Sequence, residues 1–552
     1  MRSDPDHDAV RGADLTSLTL DDVVAIARTG QTVDLTPAAV DAIAVGRARV
    51  KSLADSPDPA YGISTGFGAL ATVSIAPHRR QALQRSLIRS HAAGTGALVP
   101  REVVRAMMTL RLKTLASGLT GVRPETAATL AAMLNAGITP AVREYGSLGC
   151  SGDLAPLAQV ALALTGEGEV VADGSPSAAT QPAAEALAEA GLDPVALIEK
   201  EGLALINGTD GMLGMLALGL ADLDELLLLA DITAAMTVEA LLGTDRVFAA
   251  DLAALRPQTG QGQSAANLRR LLADSEIMAS HRHDRTHIVQ DAYSLRCTPA
   301  VHGAARDTWA HARTVAEREL ASTIDNPVVL PDGRVESNGN FHGAPVAFVL
   351  DFLAIAVADL ASIAERRIDK TLDRTRSAGL PPFLADEVGV DSGYMIAQYA
   401  AAGIVSDLKR LAVPASVDSI PSSAMQEDHV SMGWAAGLKL RRAIDGLRRV
   451  LAIELLTAAR ALDLRAPLHP APGTGAAREA LRAVVPGPGP DRIVGAEIAA
   501  AVALVASGDV VRAVQDVIGP LSPATHSDLP GDQPSTPVPT PAPTPERTPH
   551  DA

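Results

Sequence analysis

Cys150, Ser151 and Gly152 follow one another inside GSLGCSGDLAPLAQ, residues 146–159. A serine set between a small residue and a glycine is the raw material for an internal cyclisation. The Gly152 amide nitrogen attacks the Cys150 carbonyl carbon, and two waters leave, one of them carrying the Ser151 hydroxyl. The product is a five-membered ring with an exposed methylidene carbon. Gly149 and Gly152 give the chain bends that other residues resist. The same letters also read as a plain loop leading into an apolar helix near Leu154, with Ser151 or Asp153 as its cap. A cysteine nucleophile is a third reading. It requires a low-pKa thiolate beside a basic group, and no neighbouring motif supplies one.

Six more segments interrupt the helical text with glycines, polar side chains or odd composition: 61–68, 90–96, 205–210, 287–297, 336–342 and 422–432. In a helical protein such loops carry chemistry while helix interiors carry packing. They hold Tyr61 in YGISTGFG, Ser90-His91, Asn207 in EGLALINGTD, Gln290, Tyr293 and Arg296 in QDAYSLRCTP, Phe341 in SNGNFHGAP, and Gln426-Glu427 in SSAMQEDHVSM. The Asn207 amide both donates and accepts, and asparagine is also a good helix N-cap. Arg296 can clamp a carboxylate with two parallel hydrogen bonds, or sit in a surface ion pair. His281, His283 and His287 invite a metal reading, since the last two are four apart. No second ligand cluster accompanies them, so they read as a solvated polar segment and no metal is expected.

The elements that must position these residues are helices. Aromatics make up 2% of the 552 residues and hydrophobic residues 47%, so the core is built from Ala, Leu, Val and Ile. Ala and Leu favour helix, and the expected fold class is mainly α, a long-helix bundle with a smaller loop-rich N-terminal region. Thr36 and Pro37 mark a helix start. Helices are expected within 77–135 and over 304–322, 344–370, 391–412 and 433–463, with another opening at 207–209 and running to about 230. Residues 167–182 read as a hairpin. The expected division is a disordered 1–14, an N-terminal domain 15–210, a helical bundle 211–520, and a disordered Pro/Thr-rich tail 521–552. The formal charge of −17 argues against a non-specific nucleic-acid binder. Two cysteines exclude a disulfide scaffold, no signal sequence opens the chain, and charges break the apolar runs. The chain therefore reads as cytoplasmic, with no membrane partner.

GSLGCSGDLAPLA resembles the signature of the histidine and phenylalanine ammonia-lyase family. Its members form a 4-methylidene-imidazol-5-one group (MIO) from a small residue followed by Ser-Gly. The commonest first residue is Ala; Cys150 departs from it, but the ring uses that residue's backbone. The resemblance runs over roughly residues 15–520 and recurs, in chain order, at all seven loops. It implies the fumarase/aspartase-like helical superfold and an MIO formed from Cys150, Ser151 and Gly152 with no external cofactor. It also implies a homotetramer whose sites draw on several chains.

The resemblance further implies roles. Tyr61 is the base for a weakly acidic β-hydrogen, Tyr293 assists the elimination, and Arg296 holds the carboxylate. Asn207 and Gln290 bind the carboxylate end, and Phe341 stacks near the ring. Ser90-His91 and Glu427 are the marks of histidine-directed members, where aromatic-directed ones carry Phe-Leu or His-Leu at the first pair. His91 can pair with a substrate imidazole, and Glu427 can accept its second N–H or take a proton; Gln426 lies beside it. A phenyl ring would leave these groups unpaired. The expected reaction is L-histidine to trans-urocanate and ammonia. The alternatives are a lyase or aminomutase for tyrosine or phenylalanine, and a non-catalytic helical assembly protein. Asp210 and Met425 stand where relatives often have Gln and Asn.

Overall fold

Thr36 accepts the Ala39 N–H and Pro37 takes the first position of the helix Pro37–Ala54, as the sequence predicts. The computed structural model describes residues 12–56, 59–66, 72–172, 179–282 and 290–524. The break at 90–96 falls between the helices Arg80–His91 and Arg101–Ala116, and the hairpin is Glu169–Val171 paired antiparallel with Thr180–Pro182.

Four long helices form the centre: Asp210–Ala240, Thr298–Ala321, Ala344–Leu372 and Gly433–Asp463. They pack on one another, and Arg101–Ala116 lies against the first. Asp210–Ala240 is buried nearly end to end, because its sequence is apolar on every face and such a helix belongs in the interior. Among the described residues the strands form four two-stranded sheets.

Polar groups cross this core in paired sets. Arg367 pairs with Glu454, which also accepts from Thr233 and, at 3.3 Å, from Thr237. Asp231 accepts from Ser264, Asn267, His302 and Arg306. Lys200 meets Asp325 at 2.6 Å with both side chains fully buried. Each charge is compensated where it is desolvated.

Several expectations change. Ala13–Asp14, placed in a frayed terminus, pairs in parallel with Val33–Asp34, while residues 1–11 lie outside the described part. Leu521 and Ala524 are buried and Ser522 bonds Asn267, so the packed chain continues past 520; residues 525–552 are outside the described part. One continuous apolar core extends on both sides of the expected boundary at 210. The opening helix runs to Ala240, ten residues beyond expectation, because its apolar character does not lapse. Ala344–Leu372 is long and apolar enough to cross a membrane, but it lies in the bundle with Glu365 and Arg367 buried along it.

Candidate functional site

Three of the four central helices begin at the Cys150-Ser151-Gly152 loop. The Gly343 N–H, just ahead of Ala344–Leu372, donates to the Gly149 carbonyl at 3.1 Å. The Met432 N–H, just ahead of Gly433–Asp463, donates to the Leu148 carbonyl at 2.8 Å. The Ser431 hydroxyl donates to the Gly149 carbonyl at 2.7 Å. Asp153 reaches Asp210–Ala240: its Oδ2 accepts the Gly211 and Met212 N–H groups, both at 2.9 Å, and its Oδ1 accepts the Ser147 hydroxyl at 3.0 Å. Asp153 therefore caps a neighbouring helix, not the Leu154–Leu164 helix it precedes, which has no side-chain cap. Helix N-termini carry partial positive charge, so their convergence favours negative charge at the loop.

The loop is a tight backbone cradle. The Asp153 N–H donates to the Gly208 carbonyl at 2.8 Å, and Gly152 pairs with Gly208 in parallel. Gly152 has φ +75°, and a Cβ there would lie 2.1 Å from the Gly208 oxygen. No other residue fits. These are the demands of a Ser-Gly ring former, and Cys150-Ser151-Gly152 meets them.

Glu427 lies over this segment. The Ser151 hydroxyl donates to its Oε1 at 2.9 Å, and the Cys150 thiol to its Oε2 at 3.2 Å. Ser422 donates to Oε2 at 2.9 Å. Burial, and then the Glu427 charge, push the Cys150 thiol up to about 12. It stays protonated, which removes the cysteine-nucleophile reading.

His91 ends the helix Arg80–His91. The chain beyond it pairs Thr95 with Tyr145 and Leu98 with Arg143, which carries His91 toward the loop that follows Tyr145. Its Nδ1 meets the Leu87 carbonyl at 2.9 Å. Burial lowers its pKa, while that hydrogen bond and the Glu427 carboxylate draw it back up. With Nδ1–H on a carbonyl, Nε2 of the neutral ring is the acceptor nitrogen.

Asn207 ends the helix Glu201–Ile206 instead of capping the next, and its Nδ2 donates to the Leu203 and Asn326 carbonyls at 3.3 Å. It stands beside Gly208, hence beside the cradle. The Tyr61 loop packs on the same helix: a Cβ on Gly62 would meet Leu203 Cδ1 at 2.4 Å. Phe341 precedes Gly343 by two residues and is half-buried. Gln426 is exposed, its N–H on the Ser423 carbonyl. Asp210 is the buried partner of Arg111, which also donates to the Ala204 carbonyl.

Gln290, Tyr293 and Arg296 form a separate group. Arg296 donates to Gln290 Oε1 at 3.1 Å and lies 4.7 Å over the Tyr293 ring, itself 70% exposed. The Ser294 carbonyl meets Arg367 at 3.5 Å, 23 residues along the helix that starts beside Gly149. At 1.5 Å per residue the two groups stand about 35 Å apart. Glu454, bonded to the same Arg367, gives a similar span along Gly433–Asp463. One chain does not bring them together. His281 is occupied by the Ile277 and Gly243 carbonyls, and His283 and His287 lie outside the described residues.

The sequence reading missed Ser147, Ser422, Ser431 and the helix-capping role of Asp153. Their only signal was position next to residues already singled out.

The profile of the family described as aromatic amino acid lyase matches residues 18–483. A histidine ammonia-lyase of Streptomyces avermitilis is 63% identical over 517 residues, 94% of this chain and all of that protein. Among solved structures, a tyrosine aminomutase from Streptomyces globisporus superposes with a TM-score of 0.86 at 37% identity, covering 92% of this chain and 99% of that one. A histidine ammonia-lyase from Trypanosoma cruzi superposes at 0.84 with 38% identity, covering 91% and 94%.

Proposed function

This chain belongs to the aromatic amino acid lyase family, and from that premise we propose that it eliminates ammonia from L-histidine to give trans-urocanate. The observation that carries the substrate choice is the placement of Glu427 on the Cys150-Ser151 segment, with His91 within its electrostatic reach. Two groups suited to an imidazole thus flank the reacting centre. The 63% identity to a histidine ammonia-lyase supports the same choice.

Family members generally depend on MIO, and here Cys150, Ser151 and Gly152 would form it; the ring supplies an electrophilic carbon that turns the substrate amine into a leaving group. The remaining work falls to side chains. His91 and Glu427 hold the imidazole and fix its register. Tyr61 removes the β-hydrogen. Asn207 and Phe341 border the cradle, the first toward the substrate's carboxylate and the second toward its ring, and Gln426 lies at the margin next to Glu427. Three helix N-termini around the loop favour the negative charge that develops there.

Arg296, Gln290 and Tyr293 complete the site in this reading, Arg296 as the carboxylate clamp and Tyr293 as an aid to elimination. A separation of about 35 Å within one chain means that another copy must deliver them, and the exposed positions of Gln290 and Tyr293 suit that. A homotetramer with shared sites is the assembly proposed.

Incubation with L-histidine, L-tyrosine and L-phenylalanine, followed in the ultraviolet, tests the substrate. Urocanate from histidine alone is expected; turnover of tyrosine without histidine overturns the proposal. Intact mass of the same sample should fall short of the sequence mass by two waters, and Ser151→Ala should carry neither the deficit nor the activity.

A further inference from the structure

We propose that Cys150 and Ser422 are positioning residues that hold Glu427 by one carboxylate oxygen, so that ring closure at Ser151 releases the other oxygen to the substrate's imidazole. This rests on the reading of Glu427 as a ring-binding group. The division of labour is in the contacts: Cys150 and Ser422 both donate to Oε2, at 3.2 and 2.9 Å, whereas Ser151 alone of the three donates to Oε1, at 2.9 Å. When the ring forms, the Ser151 Cα–H and Cβ–O bonds break, the Cα=Cβ double bond forms, and the hydroxyl leaves as water with that hydrogen. The donor on Oε1 disappears; those on Oε2 stay. Ser151 thus holds the place of the substrate N–H until the site matures.

Both remaining donors are built for the task. Burial keeps the Cys150 thiol protonated, so toward a carboxylate oxygen it is the donor. Ser422 and Glu427 also exchange backbone hydrogen bonds, at 2.8 and 3.3 Å. Between them Ser423, Ala424 and Met425 all have positive φ, 52°, 54° and 70°. Such a run persists only where its surroundings over-determine it, and the Ser422 side chain and backbone together close the loop on Glu427. An Ala at position 150 would carry no donor, so this chain has one more constraint on the carboxylate than the commoner pattern.

The test uses Ser151→Ala protein, which forms no ring and does not turn substrate over, with calorimetric binding of L-histidine as the readout. Adding Cys150→Ala or Ser422→Ala should weaken binding by about 10- to 100-fold, the scale of losing one donor to a charged acceptor. Cys150→Ser and Ser422→Thr keep a donor and should bind within about 2-fold of the parent. Adding Glu427→Gln should weaken binding at least as much as either alanine. If Glu427→Gln leaves binding unchanged, the reading of Glu427 fails and this proposal with it. If Glu427→Gln weakens binding while both alanine variants bind like the parent, positioning alone is overturned. Equal loss in Cys150→Ala and Cys150→Ser overturns it too, since shape rather than a donor would then be at work.

Discussion

Replacing Asp153 separates the charge of this residue from its hydrogen bonds. The side chain is fully buried and accepts from Gly211, Met212 and Ser147. Burial pushes its pKa up to about 7 from an ordinary 3.8, against the pull of those three donors. A carboxyl whose folded pKa lies above its unfolded value favours the folded state when protonated. That stability is fully present below pH 3.8 and is lost as the pH rises through 7. Three pKa units at about 1.4 kcal/mol each put the loss near 4 kcal/mol, as an order of magnitude. Asp153→Asn keeps an acceptor for the two helix N–H groups and removes the charge. Asp153→Ala leaves both N–H groups buried without an acceptor, at about 1–3 kcal/mol apiece. The assay is urea unfolding at pH 5 and pH 8, each variant compared with the parent. The Asn variant should exceed the parent slightly at pH 5, where part of the loss has already set in, and by more at pH 8; the Ala variant should be the least stable at pH 5. If the Asn variant follows the parent at both pH values, burial of this charge has no energetic consequence. If it is as damaged as the Ala variant, the charge and not the hydrogen bonds anchors the loop.

Arg367→Leu strands Glu454 without its buried cation and should destabilise the protein by about 3–5 kcal/mol, with much of that recovered in the Arg367→Leu/Glu454→Leu double variant on the same unfolding assay. Co-expression of Ser151→Ala with Arg296→Ala chains should restore part of the activity that each lacks alone, because mixed assemblies contain sites with both residues intact; no recovery at any ratio would contradict sites shared between chains. Iodoacetamide at pH 8 should leave Cys150 unmodified in the folded protein and alkylate it after urea unfolding, as read from peptide masses, since its thiol is held near 12.

Local signals were legible and distant ones were not. Thr36 and Pro37 act within one turn, and the sequence located their helix. Loops 61–68, 90–96, 146–156, 205–210, 336–342 and 422–432 stood out because glycine and polar residues interrupt helical text; 90–96, 205–210, 336–342 and 422–432 lie around the cradle that 146–156 forms, and 61–66 pack on the helix Glu201–Ile206 that leads to it. Segment 287–297 carried equally strong local signals, yet its described part, 290–297, lies at the far end of the bundle, since composition does not encode distance along a packed helix. Asp153 looked like the cap of the helix it precedes; its actual partners are 58 and 59 residues away. Asn207 read as an N-cap because that role depends on the residue type, whereas its position at a helix end depends on where Glu201–Ile206 stops. Asp210 acquires its role from Arg111, 99 residues earlier. Such pairings are set by the way the helices stack, which no window of sequence contains.

The contacts that shape the Cys150-Ser151-Gly152 loop also set a schedule. Ser431, which bonds the Gly149 carbonyl, lies 282 residues further along the chain, and Glu427, which bonds Ser151, lies 276 further. A chain emerging from the ribosome has made the three ring-forming residues long before it has made the parts that bend them into place. On the proposed chemistry, ring closure waits for the last third of the fold and cannot begin during early synthesis. The two lost waters then become a covalent record of completed folding. A misassembled chain would lack that record and be inert, so damaged copies would neither compete for substrate nor be mistaken for mature protein in a mass spectrum.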